Sequence, residues 1–389
     1  MIPAFTFEFP TIIEFGVGKA SEIMKAVERE KADKVVLVTD PVLASIGMLD
    51  PIRKILEENG IAYTVYQDIR QNPLSSQVDA CGKLCAEFGA KLIIAVGGGS
   101  VMDCCKAISM AAVYDGDIWA DFWARPGIIQ FDPLPLGVIV TVAGTGSEMN
   151  GGAVITNEAL KIKTGRDYPK CNPKFALLDP TYTYSVPKKQ LVSGSFDILS
   201  HIMEIYFSEP NEDNVSDDIA EALMRSVIRN LRAAIQNPQD YTARSNLMWD
   251  ATMAENRILK LGKRTDFQCH QMEHQLAAYT GCNHGAGLAV LHPVYYRHIY
   301  QDGLSKFQKF AVHVWGISPQ DKTEEKLARA GVEALADFIK EIGLPSTLGE
   351  LGVDESIDLK AIADSCNLAP GSYRKMTHEE ILKIFQECH

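Results

Sequence analysis

Lys91-Leu-Ile-Ile-Ala-Val96 runs directly into Gly97-Gly-Gly-Ser-Val-Met-Asp-Cys-Cys-Lys-Ala-Ile108, and the reading of this junction decides the fold. After Lys91 the run is apolar with no polar alternation, which is how a strand reads when both of its faces are covered. Three glycines then open a helical pattern. At such a turn backbone N–H groups can approach an anion closely, and the helix N-terminus adds a favourable dipole. A tight turn needing only positive φ would use the same glycines, but the strand before and the helix after favour a phosphate-binding turn with a diphosphate as its guest. The Gly-x-Gly-x-x-Gly fingerprint of the common dinucleotide folds is absent.

Working outward, Lys34–Asp40, Ile61–Tyr66 and Leu136–Thr141 read as further Val- and Ile-rich strands. Helical patterns separate them: one from Asp50 with Pro51 in its first turn, another over Ser75–Phe88 with Val78, Cys81, Cys85 and Phe88 on one stripe. This half is an α/β domain with a parallel sheet between helices. Past Val186-Pro187 the strand signals largely stop. Ser216–Gln236 and Thr323–Ile342 carry apolar stripes at helical spacing, and Thr377-His-Glu-Glu380 is a capping box. We therefore expect a dinucleotide-binding α/β domain over residues 1–186 and an all-helical, metal-binding domain over 187–389. At the N-terminus Phe5, Phe7 and Phe9 alternate like a half-buried strand, whose aromatic face needs a partner within the chain or on a second subunit.

The chain has 389 residues, 46% hydrophobic and 23% charged, a composition that folds. Lys plus Arg number 38 against 50 Asp plus Glu, a net charge of −12, which argues against nucleic acid and anionic membrane surfaces as partners. No apolar stretch is long enough to span a bilayer, and the first residues carry no basic region or cleavage site. Nine scattered cysteines, an odd number, read as buried hydrophobes in a reducing compartment, and the expected location is the cytoplasm.

Five of the nine histidines fall between 270 and 298. His270 and His274 are four apart and share a helical face; His284 follows across Gly281-Cys-Asn; upstream, Asp197 and His201 form a second pair four apart. Two helical pairs and a loop histidine can supply four oxygen and nitrogen ligands, a set suited to Zn(II) or Fe(II). Spacing alone does not say which of the five stays outside the shell. Asp40, at a strand end, can accept hydrogen bonds from a ribose diol and would repel a 2′-phosphate, although a turn residue before Pro41 reads the same way. Thr141-Val-Ala-Gly-Thr-Gly-Ser-Glu148 places small hydroxyl residues at another strand end. Trp119, Phe122 and Trp123 read equally as a pocket wall or as core.

Together these motifs resemble the iron-containing (group III) alcohol dehydrogenase family, in its butanol-dehydrogenase-like branch. The resemblance rests on Gly97-Gly-Gly-Ser-Val-Met-Asp103, Thr145-Gly-Ser-Glu148, Leu178-Asp-Pro180, Asp197-x-x-x-His201 and the string from His270 through His274 to His284-Gly285. It implies an active site between the two domains, and a homodimer in which the N-terminal strands of two subunits meet. It implies Asp197, His201, His270 and His284 as metal ligands and His274 as a catalytic proton relay. It places cofactor contacts at Asp40, Asn72, Gly98, Gly99, Ser100, Asp103, Thr141, Thr145, Asn150, Lys163 and Tyr182, with NAD favoured over NADP because Asp40 stands where NADP-preferring relatives usually have Gly or Ser. Glu273, Ala277 and Asn283 depart from the strictest family signature. The implied reaction is hydride transfer between NAD(H) and a small primary alcohol or aldehyde. Two other readings compete. A lyase or synthase of the dehydroquinate-synthase kind would recycle its NAD within a turnover, but such enzymes typically have glutamate as the first ligand. A non-catalytic metal-binding scaffold would leave the glycine turn without purpose.

Overall fold

The computed structural model describes residues 4–389. Two compact units emerge, Glu8–Val186 and Pro187–His389, residues 4–7 being grouped with the second.

The first unit is built on a six-stranded parallel sheet in the order β1-β8-β5-β4-β2-β3. Its strands are β1 (Ile12–Phe15), β2 (Lys34–Val38), β3 (Ala62–Tyr66), β4 (Leu92–Gly97), β5 (Leu136–Val140) and β8 (Phe175–Leu178). An antiparallel hairpin, β6 (Gly152–Asn157) with β7 (Ile162–Asp167), stands beside the sheet order. The four inner strands are buried almost throughout, while the edge strands β1 and β3 are partly exposed. Each fully buried Val, Leu or Ile in those inner runs contributes about 1.5–3 kcal/mol. Helices α1 (Ile23–Arg29), α2 (Pro41–Ser45), α3 (Asp50–Glu58), α4 (Ser75–Phe88) and α5 (Gly99–Ala111) connect the strands. The expected strand over Lys34–Asp40 stops at Val38: Thr39 N–H still bonds Tyr66 O of β3, but Asp40 then becomes the N-cap of α2 with Pro41 in its first turn.

Within the chain residues 4–11 adopt no regular structure, and Phe5, Phe7 and Phe9 are exposed rather than half-buried in a strand of the same chain. Pro10 supplies no ladder N–H, so pairing begins only at Ile12, opposite Phe175. The hairpin and the short strands β1 and β8 went unread, since Lys163, Gly165 and Arg166 break the apolar pattern of β7 and four-residue strands give little periodicity.

The second unit is helical: α6 (Lys188–Tyr206), α7 (Val215–Gln236), α8 (Tyr241–Glu255), α9 (Gln268–Thr280), α10 (His284–Ile299), α11 (Leu304–Lys309), α12 (Glu324–Glu341), α13 (Leu348–Leu351), α14 (Leu359–Ser365) and α15 (His378–Glu387). Asn214 caps α7 through Asp217 N, with Asp217 and Asp218 in the first turn. Thr377 and Glu380 form the capping box of α15 in both directions. No described helix is long and apolar enough to cross a membrane.

Candidate metal centre and dinucleotide turn

α6 is buried along nearly its whole length and carries Asp197, His201 and Glu204 at spacings of four and three, so all three share one face. α9 faces it with His270, Glu273 and His274, and α10 begins at His284. The Nε2 atoms of His201, His270 and His284 lie 3.7, 3.6 and 3.4 Å from one oxygen, Asp197 Oδ1. Those separations exceed the 2.7–2.9 Å or so of a charge-assisted hydrogen bond, and Asp197 Oδ1 and His270 Nε2 are buried without a hydrogen-bond partner. Donors about 2.0–2.2 Å from a common tetrahedral ion stand roughly 3.4 Å apart. Asp197, His201 and His270 bring their ligand atoms mutually close, as one Zn(II)- or Fe(II)-sized dication requires; His284 Nε2 reaches the same Asp197 oxygen and also clusters with Glu273 and His274, so it stands on the border of that set. His274 stands beside the group, its ring 5.8 Å from that of His284 and 6.1 Å from that of His270.

The far sides of two rings are also engaged. Glu204, wholly buried, contacts His270 Nδ1 and accepts the Cys269 N–H at 2.6 Å. Glu273, equally buried, contacts His284 Nδ1. Burial alone would raise the Asp197 carboxyl, but the imidazoles of His201, His284 and His270 hold it well below the usual carboxylate range. Burial lowers His201. It also works against His270, yet Glu204 and Asp197 push that imidazole up to about 10. Sequence reasoning did not single out Glu204, although its spacing of three from His201 and seven from Asp197 put it on the ligand face.

In the α/β unit, β2 connects onward to the edge strand β3, whereas β4 connects to β5 on its other side. The chain thus reverses direction between β2 and β4, and the crevice at the carboxyl ends of such strands is where this class of sheet binds ligands. Asp40 follows β2, Gly97 to Ser100 follow β4, and Thr141 follows β5. α5 starts there with Gly98 as an N-cap that offers no side-chain acceptor to its first turn, which leaves that end open to an anion. A Cβ on Gly99 would sit 2.3 Å from Thr145 Cγ2, so only glycine lets the 141–146 loop close onto the turn. Thr141 Oγ1 is buried at this place without a partner. These features fit a bound diphosphate.

The other expected contacts divide by their bonding. Asp103 accepts from Ser147 Oγ at 2.6 Å and Val154 N at 2.9 Å. Lys106, fully buried, donates to Ser147 Oγ, Asn150 Oδ1 and Gly152 O at 2.6, 3.1 and 2.6 Å, and burial lowers its ammonium pKa. Asp103 and Asn150 thus belong to an internal network tying α5 to β6, a network whose centre, Lys106, sequence reasoning passed over. Asn72 lies just before Pro73, whose carbonyl accepts the Thr156 N–H, and Thr156 pairs with Lys163 across the hairpin. Asp40 Oδ1 accepts from Val42 N and Leu43 N. Tyr182 packs against the core cluster that α1 and α3 form with β2, β4, β5 and β8. Phe122 is core, edge-on to Tyr114, Phe131 and Tyr168, while Trp119 and Trp123 line a recess with Val78, Ala107 and Ile155.

Known proteins resemble the chain over both units. Residues 10–180 match the iron-containing alcohol dehydrogenase family, and residues 191–389 match the C-terminal part of the Fe-containing alcohol dehydrogenase family. The chain is 36% identical over 391 residues to NADH-dependent butanol dehydrogenase A of Clostridium acetobutylicum, covering 99% of this chain and 100% of that one. It is 31% identical to the NADPH-dependent aldehyde reductase YqhD of Escherichia coli, over 90% of each. The crystal structure of NADH-dependent butanol dehydrogenase A from Thermotoga maritima superposes with a TM-score of 0.94 at 32% identity, covering 100% of this chain and 99% of that one.

Proposed function

The chain belongs to the iron-containing alcohol dehydrogenase family and is an alcohol dehydrogenase; within that family we propose a butanol-type enzyme that interconverts a small primary alcohol and its aldehyde with NAD(H). The observation that carries the reading is the set of three imidazole nitrogens facing one buried carboxylate oxygen at 3.4–3.7 Å.

Asp197, His201, His270 and His284 would hold the dication, Fe(II) or Zn(II). Once bound, it supplies Lewis acidity at the alcohol or aldehyde oxygen. His274 would move the proton to or from that oxygen, standing within ring contact of the ligand set while outside it. Gly98, Gly99, Ser100, Thr141 and Thr145 would cradle the diphosphate, with Asp103 and Asn150 holding that cradle from below. Asp40 would receive the adenosine ribose and disfavour a 2′-phosphate, while Asn72, Lys163 and Tyr182 would complete the dinucleotide contacts. Residues 1–186 and 187–389 would act as cofactor and metal domains. A cytoplasmic homodimer is proposed as well; β1 is an edge strand and Phe5 is exposed near it in sequence, and sedimentation analysis tests that state.

The decisive assay is a panel of aldehydes against NADH and NADPH with protein reconstituted separately with Fe(II) and Zn(II). Net NADH oxidation with butanal-sized substrates is expected. Turnover with no net change in NADH would instead indicate the lyase reading. His274→Ala should lower kcat by about 10²-fold or more while metal content is unchanged; loss of the metal in that variant would make His274 a ligand.

A further inference from the structure

His284 is the most exposed of the three imidazoles, its side chain 23% accessible against 10% for His201 and 6% for His270. It is also the first residue of α10, just past the Gly281-Cys-Asn connection. A ring in that position needs something to fix its rotation. Glu273 is placed to do so: it sits one turn after His270 on α9, is wholly buried, and lies against His284 Nδ1. The opposite nitrogen of that ring, Nε2, faces Asp197 Oδ1 at 3.4 Å.

A second, independent feature makes room for this carboxylate. A Cβ on Gly287, one turn along α10, would stand 3.0 Å from Glu273 Cγ and 3.4 Å from its Oε1. The chain therefore pairs a carboxylate at 273 with the absence of a side chain at 287.

We infer that Glu273 is a positioning residue for His284: it accepts the Nδ1 proton, so that the lone pair of Nε2 is held toward Asp197 Oδ1, and thereby sets how tightly the proposed dication is retained. The inference rests on the metal site proposed above. A carboxylate on the far nitrogen of a ligating imidazole fixes its tautomer and orientation and raises its basicity, and removing such a group costs about 10–100-fold in metal affinity. Glu204 does the same for His270 from a different helix, but His270 is pinned by burial on both sides, whereas His284 has solvent on one.

The test is Zn²⁺ affinity of the full-length chain and of Glu273→Gln and Glu273→Ala, measured by competition with a chromophoric chelator, with zinc counted per chain by elemental analysis. Co²⁺ absorption in the visible gives a parallel readout of ligand geometry. Affinity should fall about 10-fold in Glu273→Gln, which keeps the volume and an acceptor, and up to about 100-fold in Glu273→Ala. If the alanine variant fails to fold, the isosteric glutamine variant decides alone. Wild-type affinity and an unchanged Co²⁺ spectrum in Glu273→Gln overturn the inference. So does a wild-type stoichiometry of two zinc ions per chain falling to one in that variant, which would make Glu273 a ligand. A wild-type chain that takes up no zinc overturns this inference together with the metal site it stands on; a loaded wild type with unaltered variants overturns this inference alone.

Discussion

The histidine cluster of the helical unit and the Lys106 network beneath the glycine turn of the α/β unit handle buried polarity in opposite ways. In the cluster, Asp197 Oδ1 and His270 Nε2 are buried side by side with no hydrogen-bond partner, and three imidazole nitrogens crowd one oxygen at more than hydrogen-bonding distance. Leaving such groups unmatched costs about 1–3 kcal/mol apiece, a cost that the proposed cation would remove. Beneath the turn, Lys106 is equally buried but finds three acceptors, and Asp103 fills both of its oxygens. One region is completed from outside, the other from within. Protein-satisfied polar networks frame a site, whereas unsatisfied ones mark where the ligand goes.

The sharpest way to break that contrast is Asp197→Ala. It should abolish metal binding and lower kcat/KM by at least about 10³-fold, seen by elemental analysis alongside NADH turnover. Retained metal would mean that the cluster is not one cage. On the other side, Lys106→Met removes the donor from three buried acceptors and should destabilise the α/β unit by about 3–5 kcal/mol in urea denaturation, with metal content unchanged. A loss of metal there would dissolve the distinction between the two regions.

A finer test lies within the helical unit. Asp250 is buried with Ser226 Oγ at 3.0 Å and no imidazole contact, and burial pushes its carboxyl up to about 7, the reverse of Asp197. A raised folded pKa means that stability is fully present below the unfolded value near 4 and is lost as pH climbs through 7. Asp250→Asn should therefore stabilise the chain by about 2–4 kcal/mol at pH 8 and by almost nothing below about pH 4. Equal effects at both pH values would show that burial does not govern this carboxyl. Gly99→Ala should have the smallest consequence, weakening NADH binding by about 10-fold in a fluorescence titration as Thr145 is pushed off the turn, an overpacking cost of about 1–3 kcal/mol.

These regions also differed in how far the sequence exposed them. Inner strands such as Leu92–Gly97 were legible because a strand covered on both faces must be continuously apolar. α4 was legible from its stripe of Val78, Cys81, Cys85 and Phe88, and the structure closes it with Gly89 as the C-cap. The convergence of Asp197 and His201 with His270 was legible because a spacing of four is a face on any helix. Lys106 was not, because a buried lysine looks on paper like any solvated one and its acceptors come from residues about 40 positions away. The same holds for Glu204 and His270, 66 residues apart. The Phe5-Phe7-Phe9 alternation forms no strand within the chain, where residues 4–11 adopt no regular structure.

Position 285 carries one further consequence. A Cβ there would meet Ser193 O at 2.0 Å, so α10 rests on the main chain of α6 with nothing compressible between them. The aperture between Asp197 and His284 is thus fixed by backbone rather than by adjustable side chains. At the proposed metal site such an aperture would resist dilation toward the roughly 2.3–2.6 Å bonds and six or more oxygens that calcium demands, and ionic radius would then be selected by a residue that never touches the ion.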